Sequence, residues 1–231
     1  MAFDHNISII SSMATRQVLA ELIAQFQQTS PQQVSLESVG GVDAARRVQS
    51  GEAFDVVILA ANAIEQLTQA GRIVPGSRVD LVHSGVSVAV QAGAKRPDIS
   101  SEEAVRQAVL AARTLGYSTG PSGVHLTKLF ERWGIADAIK SRIVQAPPGV
   151  PVGSLVARGE VELGFQQLSE LIHQDGIDVL GPLPPAIQIN TIFSAGLSAT
   201  STQARAVRAL LDFMASPAAT DIKRRNGLEP A

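Results

Sequence analysis

The 231-residue sequence contains no cysteine, which excludes a disulfide framework, a thiolate metal site and a cysteine nucleophile. Aromatic residues make up only 4%, with one Tyr and one Trp, so a stacking platform for bases or sugars is not expected. Neither sign of charge dominates: 19 Lys and Arg stand against 21 Asp and Glu, a balance of −2. Nothing in that balance advertises a surface for nucleic acid or for a membrane. Long apolar runs are also missing. Apolar residues reach 45%, but Gly, Pro and polar residues break them up well short of the roughly 20 residues a membrane span needs. The opening residues Met1-Ala2-Phe3-Asp4-His5-Asn6 lack the basic start and apolar centre of a secretory leader. Two compartments stay open: the cytoplasm, or the periplasm if a leader has been removed.

What is present is a recurring pattern. The length suits one large domain or two lobes, with enough chain to bury a core. Asn6–Ile10 reads as a strand running into a Ser11-Ser12 turn, and Val18, Leu19, Leu22, Ile23 and Phe26 then recur at helical spacing. Val34–Val39 alternates like a strand, Gly40-Gly41 breaks it, and Asp43 opens a helix. Asp55–Ala60 is a buried-strand run followed by a helix over Ala61–Ala70. Three such units in succession predict parallel strands covered by helices, an α/β fold. Further on, strands are expected at Ser87–Gln91, Thr114–Ser118, Ile143–Gln145, Glu162–Gln166, Asp178–Gly181 and Gln188–Phe193. Helices are expected at Glu102–Ala112, Val124–Trp133, Val152–Arg158, Ser201–Ala215 and Pro217–Arg225.

The Ser/Gly turns at Ser11-Ser12, Gly40-Gly41 and Ser118–Gly123 each precede a helix. Bare N–H groups, small hydroxyls and the positive end of a helix dipole suit an anion without any fixed cation. Ordinary N-capping by Ser and Gly is the plain alternative.

Four stretches carry a family resemblance: Ile10–Phe26; Ser38–Ala60, with its run Arg47-Val48-Gln49-Ser50-Gly51-Glu52-Ala53-Phe54-Asp55; Leu155–Gly164; and Ser216-Pro217-Ala218-Ala219 with Asn226-Gly227-Leu228-Glu229-Pro230. Together they resemble the molybdate-binding type of periplasmic solute-binding protein. The resemblance implies a type 2 periplasmic-binding-protein fold, with two doubly wound lobes joined by two crossover strands. Lobe one would be residues 1–81 plus 191–231 and lobe two residues 82–190, with the ligand cleft between them. It also implies a small anion as ligand, an ABC-type permease as partner if the chain is exported, and no cofactor.

In that family the anion is held by neutral donors. Carried over by position, these fall on Ser11, Ser12 and Met13, then Gly40 and Gly41 where the family usually has serine. In lobe two they fall on Ser118, Thr119, Ser122 and Gly123, and near Gly149-Val150, with Gln167, preceded by Gln166, at the family's tyrosine. Ser84, in His83-Ser84-Gly85, lies near the first crossover. Replacing two hydroxyl contacts by glycines and amides points away from molybdate and toward a di- or tricarboxylic acid, because amides both donate and accept. A branch of the same family resembles aconitate isomerase, so interconversion of cis- and trans-aconitate by allylic proton transfer stays open as the alternative. His125, Tyr117 and Ser12 would then be the proton-handling candidates. Other residues have plainer readings. Arg16 and Arg46-Arg47 read as solvated helix residues, Asp55 as a local cap and Trp133 as packing. No metal-ligand spacing and no dinucleotide or phosphate-loop fingerprint is present.

Overall fold

The computed structural model describes residues 6–147 and 149–231, so the reading of Met1–His5 lies outside the described residues. In chain order the first elements are β1 (Ile7–Ser12), α1 (Arg16–Thr29), β2 (Val34–Val39), α2 (Gly41–Gln49), β3 (Val56–Ala60), α3 (Ala61–Gln69) and β4 (Val79–Gln91). Then come α4 (Glu102–Ala111), β5 (Leu115–Ser118), α5 (Pro121–Arg132), α6 (Ala136–Ile139), β6 (Ile143–Ala146), α7 (Val152–Ala157), β7 (Leu163–Gln167), α8 (Leu168–Leu171) and β8 (Ile177–Pro182). The chain closes with β9 (Asn190–Leu197), α9 (Ala204–Ala215), α10 (Thr220–Arg225) and β10 (Glu229–Pro230). Two compact units result, Met1–His83 with Ile192–Ala231 and Ser84–Thr191. β4 and β9 each carry the chain from one unit to the other.

In lobe one, β1 pairs in parallel with β2 and with β3, while β9 pairs antiparallel to β3. The helical spacing of α1 works as expected: Val18, Leu19, Leu22, Ile23 and Phe26 are buried against β1, β3, β9 and α9 residues. Burying such side chains contributes about 1.5–3 kcal/mol each. On the other face Ala44, Val48, Ile64 and Leu67 from α2 and α3 cover Ile10, Val57 and Leu59.

In lobe two, β5 pairs in parallel with β6 and β7, and β4 runs antiparallel to β7 and β8. Gly116 and Gly164 sit side by side in the β5–β7 register. A Cβ on Gly116 would lie 2.7 Å from the Val161 methyls, and one on Gly164 would lie 2.5 Å from a Val156 methyl. This bare strip of sheet lets α7 sit close to β7, which matters for the site.

Several boundaries differ from the sequence reading, each for a physical reason. Ser11 and Ser12 are not a turn but the last two residues of β1, paired with Ser38 and Val39. The second helix starts at Gly41, ahead of Asp43, because Gly40 takes the extended cap conformation. α5 starts at Pro121, not Val124, with proline in its first turn. Ser201 does not begin α9; its hydroxyl donates to Asp55 and accepts from the Gln203 N–H, so the helix starts at Ala204. β4 begins at Val79, eight residues before the expected Ser87, because its first half pairs with β10 through His83–Glu229 and Val82–Pro230.

Candidate ligand-binding site

Ser12, Gln167 and Ser118 stand at strand ends ahead of helices, whereas Ser84 lies inside β4. In lobe one the strand alternation separates the two serines. Ser11 is buried and its hydroxyl is bonded to Ser38 Oγ at 2.7 Å, so it is a structural hydroxyl rather than a free donor. Ser12 is also buried, and its Oγ has no hydrogen-bond partner. Such an atom costs about 1–3 kcal/mol unless something outside the fold meets it. Met13 opens a short 3-10 turn that leads into α1. Gly41 lies beside Ser12: a Cβ there would be 3.6 Å from Ser12 Cβ. Gly40 caps α2 without a side chain, so the first-turn N–H groups of this nine-residue helix lack a side-chain acceptor.

In lobe two, Ser84 is fully buried and its Oγ has no partner. Gln167 is the last residue of β7 and buried; its Nε2 donates to Thr191 Oγ1 at 3.1 Å, while its Oε1 meets nothing. Two residues that sequence reasoning missed share this character, since Ser87 Oγ and Ser169 Oγ are buried and unpartnered too. Ser87 carried a signal, a serine inside the apolar run Val86–Val90. Ser169 and Thr191 carried none.

Gln166 departs from the expectation. Its side chain turns inward, where Oε1 accepts from the Val152 and Gly153 N–H groups at 2.8 and 3.3 Å and Nε2 donates to Glu170 at 2.8 Å. The amide therefore caps α7 and is not a spare ligand contact. The Val150 N–H is likewise engaged, donating to the Pro147 carbonyl at 3.0 Å. Glu170 was not foreseen at all. It stands four residues after Gln166, and desolvation by burial raises its carboxyl to about 7, opposed by the Gln166 hydrogen bond.

The Ser118–Gly123 segment divides between loop and helix. Ser118 Oγ accepts from the Gly120 N–H at 3.3 Å, Thr119 is exposed, and Ser122 and Gly123 are buried in the first turn of α5. Gly123 is required there, because a Cβ would fall 1.8 Å from the Ser118 carbonyl oxygen. Of the proton-handling candidates, Tyr117 is buried in the lobe-two core beside Phe130, and His125 is exposed on α5.

The remaining polar residues hold the scaffold. Asp55 ties lobe one together, accepting from Ser8 N, Ser8 Oγ, Ser201 Oγ and Gln203 Nε2. Arg47 bridges Glu37 and Glu52, and Arg46 pairs with Asp43. Trp133 packs on Phe130 and donates to Glu102 at 2.7 Å, while Arg16 is exposed. Among the described residues no group of three or more His, Asp or Glu is placed to hold a metal ion. No described helix is long and apolar enough to cross a membrane.

Two α/β lobes joined by two crossover strands make a type 2 periplasmic-binding-protein fold, as in the solved molybdate-binding proteins it resembles. The family model for bacterial extracellular solute-binding proteins matches residues 7–229, and the chain belongs to that family. It is 40% identical over 187 residues to an aconitate isomerase from Pseudomonas sp, covering 80% of this chain and 70% of that protein. It is 27% identical over 222 residues to the molybdate-binding protein ModA of Azotobacter vinelandii, covering 90% of this chain and 84% of that one. Among solved structures, the periplasmic molybdate-binding protein of Azotobacter vinelandii has a TM-score of 0.79 at 22% identity, over 96% of this chain and 98% of that one. The chain is thus a molybdate-binding-like member of the family, in a branch that includes aconitate-isomerase-like proteins.

Proposed function

We propose that the protein captures a small di- or tricarboxylic acid, closing its two lobes on the anion with hinge motion in β4 and β9. The observation that carries this reading is the set of buried, unpartnered neutral groups: Ser12 on lobe one, with Ser84, Ser87, Gln167 and Ser169 on lobe two. Gln25 Oε1 and Arg72 Nε on lobe one are also buried without a partner, but neither is at a carried-over position, so in this reading charge is met by hydroxyls, amides and helix starts. Gly40 and Gly41 leave room for a flat carboxylate to approach bare N–H groups. Gln167 offers an unmet Oε1 that can accept from a hydroxyl or a protonated acid, while its Nε2, bonded to Thr191, keeps a second N–H that can donate. The relative that acts on aconitate supports the choice of a carboxylic acid over a tetrahedral oxyanion. In this reading the protein is exported, works in the periplasm and hands its ligand to an ABC-type permease.

A second reading, aconitate isomerase activity at the same residues, is favoured by the 40% identity to that enzyme. The reaction moves a proton along an allylic system and needs one group to remove it and one to return it. One experiment separates the two. Thermal shift with cis-aconitate, trans-aconitate and molybdate identifies what binds, and proton NMR of the alkene follows conversion. Stabilisation by an aconitate without conversion is the result expected for a binding protein, and steady conversion of one isomer assigns the enzyme. Stabilisation by molybdate alone removes both carboxylate readings.

A further inference from the structure

Arg72, on lobe one, is the arginine whose surroundings do not account for it. Of the described arginines that form no ion pair, Arg16, Arg96, Arg205 and Arg208 are exposed, where water can meet their N–H groups. Arg142, half-buried like Arg72, donates to the Leu110 and Ala112 carbonyls. Arg72 has neither solution. Its Nε is buried without a partner, and no hydrogen bond or ion pair of its guanidinium occurs among the described residues. The backbone beneath it is tied on both sides. Its N–H donates to the Leu67 carbonyl of α3 at 2.8 Å, and its carbonyl accepts from Ala199 N, just after β9, at 2.9 Å.

The guanidinium lines a hollow of about 330 Å³, its open mouth included. Gly51 lines it too, at a φ of 95°, and a Cβ there would stand 3.8 Å from Arg72 Nη1. With no side chain at Gly51, the approach to the guanidinium stays clear. Val48 adds an apolar surface. The hydroxyls in the lining are spent on one another: Ser198 Oγ and Thr200 Oγ1 bond at 3.0 Å, and Thr200 Oγ1 reaches the Phe54 carbonyl at 3.5 Å. The side-chain donors left to the hollow are those of Arg72. This is not the strand-end site. Ser198 N donates to the Asp55 carbonyl, and Leu197 pairs with Val56 at the start of β3. β1 runs parallel to β3 with Ser11 opposite Ile58, so Ser12 stands toward the other end of that strand.

A planar group with two acceptor oxygens and a single charge suits this lining. The guanidinium presents its N–H groups as a fixed fork, which a carboxylate meets with two parallel hydrogen bonds. A second negative charge is disfavoured. Glu52 lines the same hollow with its carboxylate held by Arg47, and the C-terminal ends of α2 and α3 add partial negative charge. We propose that this hollow is a second binding site, on lobe one, taking one carboxylate group on Arg72. The carboxylate belongs either to a small free acid or to an acidic side chain of a protein partner. The proposal does not rest on the reading of the strand-end site.

The test is NMR of isotope-labelled protein during titration with sodium acetate at constant ionic strength. It follows the Arg72 Nε–H, assigned through its own side chain, and the Gly51 and Ala199 amides. The Nε–H signal is expected to shift saturably, with sulfate binding less tightly than acetate. Arg72→Gln should weaken acetate binding, read from the two amides, by at least about tenfold, while Ser12→Ala leaves it unchanged. An Nε–H that does not respond, amide shifts that titrate equally in Arg72→Gln, or tighter binding of sulfate overturns the proposal. Loss of the response in Ser12→Ala would trace it to the strand-end site and overturn it as well. Should Arg72→Gln fail to fold, the wild-type Nε–H response decides. The blocked peptide acetyl-Ala-Glu-Ala-amide separates the two sources. Tighter binding than acetate assigns the carboxylate to a protein side chain, and equal or weaker binding assigns it to a free acid.

Discussion

Lobe one and lobe two each end a strand with a pair of like residues, and each lobe treats its pair alike. At the end of β1, Ser11 is bonded to Ser38 while Ser12 Oγ stays unmet. At the end of β7, Gln166 caps α7 while Gln167 Oε1 stays unmet. Strand alternation is the cause, since successive side chains leave opposite faces of the sheet. One member of each pair serves the scaffold and the other is left buried without a full set of partners. The lobes differ in what surrounds the pair. Lobe one leaves a helix start without a side-chain cap beside Gly40 and Gly41, whereas lobe two has already filled the start of α7 and tied it to an acid. The start of α2 is therefore left without a side-chain acceptor, while the start of α7 is already met by the Gln166 side chain.

The largest effect should come from Gln166→Ala. It strips partners from Val152 N, Gly153 N and Glu170 together, and a loss of about 2–4 kcal/mol of stability is expected in urea unfolding. A loss below about 0.5 kcal/mol would show that the cap does not hold α7. Next in size is a stability profile for Glu170. Its folded pKa, about 7, lies above the ordinary carboxylate value, so its stabilising contribution is complete at acid pH and disappears as pH rises through 7. Glu170→Gln should accordingly gain on the wild type by up to about 3 kcal/mol between about pH 4.5 and pH 7.5. A constant difference between the two would mean that the carboxyl titrates normally.

Ser12→Ala and Gln167→Ala sharpen the comparison from the free side. Each should weaken anion binding by about 10- to 150-fold; Ser12→Ala should hold stability within about 1 kcal/mol or raise it, because an unmet buried group is removed, whereas Gln167→Ala also breaks the bond to Thr191 and should cost about 1–2 kcal/mol. A melting point that falls enough to account for the lost binding would return both residues to the scaffold. The smallest effect belongs to Ser11→Ala, which orphans Ser38 Oγ, a part-buried group, and should cost about 0.5–1 kcal/mol with affinity unchanged.

Much of the fold was legible because its signals are local. Val34–Val39 coincides with β2, and the stripe from Val18 to Phe26 is the buried face of α1. What failed depends on distant partners. The first half of β4 contains Asp80, His83, Ser84 and Gly85 and reads as broken; it is a strand because the two residues of β10 return to pair with it. The site followed the same division. Position at a strand end picked out Ser12 and Gln167 together with Ser11 and Gln166, but only the sheet's facing decides which of each pair turns inward. Glu170 gave no signal, since its link to Gln166 requires a helix that begins directly at the end of a strand. Ser169 and Thr191 depend on the same tertiary placement.

In the proposed function, neutral groups on the two lobes select a carboxylic acid. Competition calorimetry of the wild type at one pH and ionic strength, with trans-aconitate, citrate, sulfate and molybdate, tests it most directly. A di- or tricarboxylate should bind at least about tenfold more tightly than molybdate, roughly 1.4 kcal/mol. Submicromolar binding of molybdate with no response to any carboxylate would contradict the account.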